Sequence, residues 1–144
     1  MGDGGQRRLA GQAALVTGAS SGLGRAAALE LAREGAAVAL LARDTAALQD
    51  VAGEVDQLGA VALPVGADLA DEDALTGAVG LASSLGPLTI LVNAAGTDVP
   101  GPAADLATSD WDRVLAVNLR APFLLARTTF PLMRAEGHGT IVNV

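Results

Sequence analysis

The sequence predicts an α/β fold, a doubly wound parallel sheet with helices on both sides. Three observations predict it. Short apolar runs alternate with longer helical stretches along the chain. The runs are continuously apolar rather than alternating, the pattern of strands buried on both faces. The helical stretches are long enough for right-handed crossovers between parallel strands.

The elements follow in order. The apolar run AALVT (13–17) is the first strand, and a helix rich in Ala, Leu and Glu spans 22–34, with Gly35 as its stop. AVALL (37–41) is the second strand. Asp44 can cap the next helix, whose apolar stripe is Leu48, Val51, Val55 and Leu58, and Gly59 ends it. VALPV (61–65) is the third strand. Asp71 can cap a third helix carrying Leu75, Ala78, Val79, Ala82 and Leu85, terminated by Gly86 and Pro87. Gly77 and Gly80 weaken it by about 1 kcal/mol each relative to Ala. TILVN (89–93) is the fourth strand. A long helical pattern starts near Thr108 or Ser109, where Ser109 and Asp112 form a weak capping-box pattern, and runs to about Ala135. Pro122 interrupts it and deprives the Asn118 carbonyl of its donor, so a kink is expected there. TIVNV (140–144) is the fifth strand, where the sequence stops.

The 144 residues suit one domain, 9–144, preceded by a mobile arm over 1–8. Hydrophobic residues make up 51%, enough for a real core, and the net charge is -7. That balance argues against a nucleic-acid binder, which needs clustered Lys and Arg. There is no cysteine, so disulfides, thiolate metal sites and thiol nucleophiles are excluded. No metal cluster is evident; the single histidine, His138, reads as a surface residue at the end of the sheet away from any ligand. Trp111 reads as a packing residue. No stretch has the length of a membrane span, and the N-terminus lacks the apolar run of a signal peptide, so the expected location is cytoplasmic. All nine basic residues are Arg and there is no Tyr, so this chain offers neither a phenol nor an amine side chain.

LVTGASSGLGRA (15–26) is the most informative stretch. Gly18, Gly22 and Gly24 lie between the first strand and the first helix, in the spacing G-x-x-x-G-x-G. Ligands of doubly wound sheets bind beyond the carboxyl ends of strands. A helix N-terminus there offers free N–H groups and a positive dipole end to a phosphate. A P-loop is excluded, because no Gly-Lys-Ser/Thr follows.

TGASSGLG (17–24), NAAG (93–96) and WDRVLAVNL (111–119), in this order, resemble the short-chain dehydrogenase/reductase family over nearly the whole chain. The resemblance implies a Rossmann-like sheet of strand order 3-2-1-4-5, here ending after the fifth strand. It implies cofactor contacts from Thr17, Gly18, Ser20, Ser21, Gly22, Leu23 and Gly24. It also implies that Asp68 accepts a hydrogen bond from the adenine amino group, with Leu69 beside the ring; the simpler reading of Asp68 is that it shapes its turn. Asn93, Ala94, Ala95 and Gly96 are expected near the nicotinamide ribose and as props of the central sheet. Ala94 departs from the commoner Asn. Ala42 stands where an acid would bind the ribose hydroxyl of NAD, and Arg43 follows with a fork suited to the 2′-phosphate of NADP, so NADP(H) is expected over NAD(H). The competing reading of Arg43, of equal weight, is a solvated surface residue. Asp44 either opposes that phosphate by charge or caps the helix.

Asn118 needs a partner on an otherwise apolar stretch, and Pro122 makes a purely local one credible. The resemblance places Asn118 in a catalytic Asn-Ser-Tyr-Lys set, where its carbonyl holds a water that relays protons. The remaining members are absent: the sequence ends shortly before the expected Ser, and it holds no Tyr or Lys. The implied reaction is hydride transfer between a nicotinamide and a small alcohol or ketone. The expectation is therefore an N-terminal part of such an oxidoreductase, inactive alone, whose parent is a homodimer or homotetramer. The alternative is a non-catalytic dinucleotide-binding or regulatory module.

Overall fold

A computed structural model describes residues 7–144. Five parallel strands are present: β1 Ala13–Thr17, β2 Ala37–Ala42, β3 Ala62–Gly66, β4 Leu88–Asn93 and β5 Thr140–Asn143. Their order is β3-β2-β1-β4-β5, as expected. The chain runs outward from β1 to β3 and then returns to its other side with β4. This reversal separates the loops after β1 and β4 and opens a crevice between them.

Strand alternation divides the core into two layers. Ala14, Val16, Val38, Leu40 and Val92 pack under α1 (Gly22–Arg33) and α2 (Thr45–Gln57). Leu15, Ala39, Leu41 and Leu91 pack under α3 (Glu72–Ser83) and α5 (Ala121–Glu136). The three inner strands are buried on both faces. β3 and β5 are not, contrary to the reading of their apolar runs: β3 is largely half-buried and β5 mostly exposed. Both are edges with one neighbour each. Pro64 lies in β3, where the missing N–H can face away from the ladder.

Asp44 and Asp71 cap their helices as expected, accepting from the N–H of Ala47 at 3.0 Å and from those of Asp73 and Ala74 at 3.0 and 3.1 Å. The Ser109–Asp112 capping box does not form. α4 (Thr108–Leu115) begins one residue after Ala107, which has no side chain to offer its first N–H groups. The break at Pro122 takes the form of a π-helical turn, Ala116–Arg120, between α4 and α5. Pro122 cannot donate to Asn118, and the ladder widens so that Ala121 N–H reaches Ala116 O. Trp111 is 54% exposed and does not pack in the core.

The arm expected over 1–8 lies mostly outside the described residues, but its last two members are anchored. Arg7 donates to the carbonyls of Leu58 and Gly59 at the end of α2, at 3.0 and 3.3 Å. Arg8 makes a two-pronged pair with Glu34. No helix among the described residues is long and apolar enough to cross a membrane.

Candidate cofactor site

The crevice between the loops after β1 and β4 is an open cleft of about 690 Å³. Its floor is set by Thr17, which is 2% exposed. The Thr17 hydroxyl oxygen accepts from the N–H groups of both Ala94 and Ala95, each at 3.1 Å. That draws the two loops together. Gly18, at φ +63°, is the point of closest approach: a Cβ there would stand 2.8 Å from the Ala95 Cα and N atoms. Gly24 packs α1 onto the same loop, where a Cβ would stand 2.6 Å from the Gly18 carbonyl carbon. Gly22 has φ +54° and open space around it, so its need for glycine is conformational alone.

These glycines bring the N-terminus of α1 to the cleft. Its N-cap, Ser21, makes no side-chain capping bond among the described residues, and no acid lies in the first turn. α2 and α3 are both capped by an Asp. The free N–H groups and positive dipole end of α1 are thus left for an anion.

The expected residues divide by position. Gly18, Ser20, Ser21, Gly22 and Leu23 line the cleft from the first loop, and Ala94, Ala95 and Gly96 from the fourth. Arg43 lines it from the end of β2, and Asp68 and Leu69 from the end of β3. Thr17, Gly24 and Asn93 lie behind this lining and shape it. Asn93 is 4% exposed and its amide nitrogen donates to Asn143 Oδ1 on β5 at 2.9 Å. Among the described residues nothing donates to Asn93 Oδ1. Asn118 does not line the cleft. Its side chain grips the backbone of Thr97, accepting the N–H and donating to the carbonyl, both at 2.8 Å. It therefore fixes the loop that follows NAAG.

The sequence pattern did not mark Arg113, Thr97 and Val117, which also line the cleft. Arg113, on α4, donates to Asp68 Oδ2 at 2.9 Å, and Ala70 N–H donates to Asp68 Oδ1 at 2.9 Å. Asp68 thus does shape its turn, as the simpler reading had it. The Arg113 guanidinium, helped by the Ala70 N–H, holds the Asp68 carboxyl below the usual carboxylate range. The same bond raises Arg113. Asp44 has one oxygen committed to its helix cap. His138 is exposed and precedes β5, at the opposite end of the sheet. Among the described residues no group of three His, Cys, Asp or Glu is placed to hold a metal.

A parallel sheet with a glycine loop opening onto an uncapped helix at the point of strand reversal defines a Rossmann-like dinucleotide-binding fold. Similarity to known proteins narrows this class. The family model described as short chain dehydrogenase matches residues 12–144. The chain belongs to that family. It is 39% identical over 142 residues to a short chain dehydrogenase of Pseudocercospora fijiensis, covering 96% of this chain and 46% of the relative. It is 35% identical over 137 residues to gluconate 5-dehydrogenase of Gluconobacter oxydans, covering 94% and 54%. Among solved structures, a metagenomic short-chain oxidoreductase in complex with NADP aligns at a TM-score of 0.89 with 41% identity, covering 94% of this chain and 62% of that one. The chain spans about half the length of the curated relatives it matches.

Proposed function

We propose that the protein is the cofactor-binding part of an NADP(H)-dependent oxidoreductase acting on a small alcohol or its ketone. The observation that supports this best is the uncapped N-terminus of α1 opening into a cleft where Gly18 and Ala95 meet almost backbone to backbone. Nicotinamide dinucleotide supplies or accepts the hydride when bound. The chain's own residues bind and orient it. The α1 N–H groups, with Ser20 and Ser21, hold the pyrophosphate. Arg43 holds the 2′-phosphate, Asp68 and Leu69 the adenine. Ala94, Ala95 and Gly96 let the backbone approach the nicotinamide ribose. Asn118 clamps Thr97 with its side chain and presents its carbonyl, freed by Pro122, to a proton-relaying water.

With no Tyr and no Lys in the 144 residues, the substrate proton has no phenol here to exchange with, so these residues alone turn nothing over. NADP over NAD rests on Arg43 in the cleft and Ala42 in the acid's place, and the aligned metagenomic oxidoreductase in complex with NADP agrees. Titrating the chain with NADPH and with NADH tests the assignment. NADPH is expected to bind about tenfold more tightly, the value of a charge-assisted contact, with Arg43→Leu abolishing the difference. Equal affinities would defeat the Arg43 reading, and no binding of either would defeat the function. Pairing through the long helix that carries Asn118, where Leu119 and Phe123 are exposed, is assigned to the parent as a homodimer or homotetramer and not to these residues alone, and sedimentation equilibrium tests it.

A further inference from the structure

Arg113 reaches from α4 across the end of the cleft to the loop after β3, 45 residues away in sequence. It meets Asp68 beside Leu69, at the end expected to take the adenine. The Asp68 carboxylate is held at both oxygens, by Ala70 N–H at 2.9 Å and by the Arg113 guanidinium at 2.9 Å. Each oxygen has lone pairs for more than one donor, so a further acceptor position is left. The side chain of Asp68 is 45% exposed, and without the second anchor its carboxylate can turn away from the cleft.

We propose that Arg113 is a positioning residue for base recognition: it fixes the Asp68 carboxylate so that the remaining lone pair selects a 6-amino purine over a 6-oxo purine. This rests on the reading of Asp68 as the adenine acceptor. The selection is chemical. An amino group donates to the fixed carboxylate, whereas a carbonyl oxygen in the same place opposes it. Arg113 does not touch the base in this arrangement. It acts by orienting the residue that does, through the Nη1 donor committed to Asp68 Oδ2.

The test compares calorimetric binding of 5′-AMP and 5′-IMP to the chain and to three variants. The unaltered chain is expected to prefer 5′-AMP. Asp68→Asn is expected to remove the preference. Arg113→Gln is expected to weaken 5′-AMP binding about threefold to tenfold, the range of one lost hydrogen bond, while affecting 5′-IMP less. Arg113→Lys, which keeps the charge but not the fork, is expected to recover part of the loss. If the chain shows no preference, or Asp68→Asn leaves it unchanged, the adenine reading of Asp68 fails and the proposal with it. If Asp68→Asn removes the preference but Arg113→Gln leaves it intact, weakens both ligands equally or tightens 5′-AMP, the Arg113 proposal alone is overturned.

Discussion

Replacing Gly24 with alanine perturbs the contact that seats α1 on the glycine loop. The added Cβ would stand 2.6 Å from the Gly18 carbonyl carbon and 2.9 Å from Thr17 O, with Gly18 O closer still. All three are backbone atoms, so no side chain can swing aside. Restoring ordinary contact requires the helix and loop to part by about an ångström, and overpacking of this kind costs about 1–3 kcal/mol. Parting them strains the burial of Ala28, Leu29 and Ala32, which anchor α1 on the sheet. It also moves the α1 N-terminus relative to Gly18, so NADPH affinity should fall with stability. Gly22→Ala is the matched control. Its φ is +54° but nothing lies within 4 Å of the new methyl, so it should cost only the left-handed backbone penalty, about 1 kcal/mol. Urea unfolding of the two variants reads both effects as shifts in midpoint at constant slope. Gly24→Ala within about 0.5 kcal/mol of the unaltered chain, or less harmful than Gly22→Ala, would refute the close-packing argument.

Three further outcomes are expected. Gly77→Ala and Gly80→Ala in α3 meet nothing within 4 Å and should each stabilise the chain by about 0.5–1 kcal/mol, read by the same urea titration. Asp68 is lowered below its usual 3.8, chiefly by Arg113, so its share of stability is present above that value and is lost as pH falls through its folded value. Arg113→Gln should therefore flatten the acid side of the stability profile below pH 3.8, and an unchanged profile would count against the pair. Asn118→Ala removes both bonds to Thr97, worth about 0.5–1.5 kcal/mol each at most on this exposed loop, and should speed hydrogen exchange at the Thr97 amide without changing that of β4.

The alternation of strands and helices, the two Asp caps and the glycine loop are all legible in the residues alone, because each is written in short-range spacing. Gly18 and Gly24 can be placed at the cleft from their position after an apolar run, and Asp44 and Asp71 from their place before a helical stripe. The errors are also local in origin. Ser109 and Asp112 have the spacing of a capping box, but α4 starts at Thr108, so neither occupies the position that the box requires. The apolar runs of β3 and β5 suggest burial on both faces, which these strands lack; their place at the edges follows from the strand order that the family resemblance implies, not from the runs themselves.

By itself the sequence determined the alternation of elements, the family and most of the residues that ring the cleft end of the sheet, though not Thr97, Arg113 and Val117. Only the tertiary structure decided which of them face one another. Arg113 meets Asp68 across 45 residues, Asn118 grips Thr97 across 21, and Arg7 closes the end of α2 across 51. None of these pairs has a spacing that marks it, because their meeting depends on where the crossover helices set down the ends of distant strands. Periodicity specifies which face of an element is buried. It does not specify which long, polar side chain reaches across a crevice, and that reach is decided by the packing of the whole sheet.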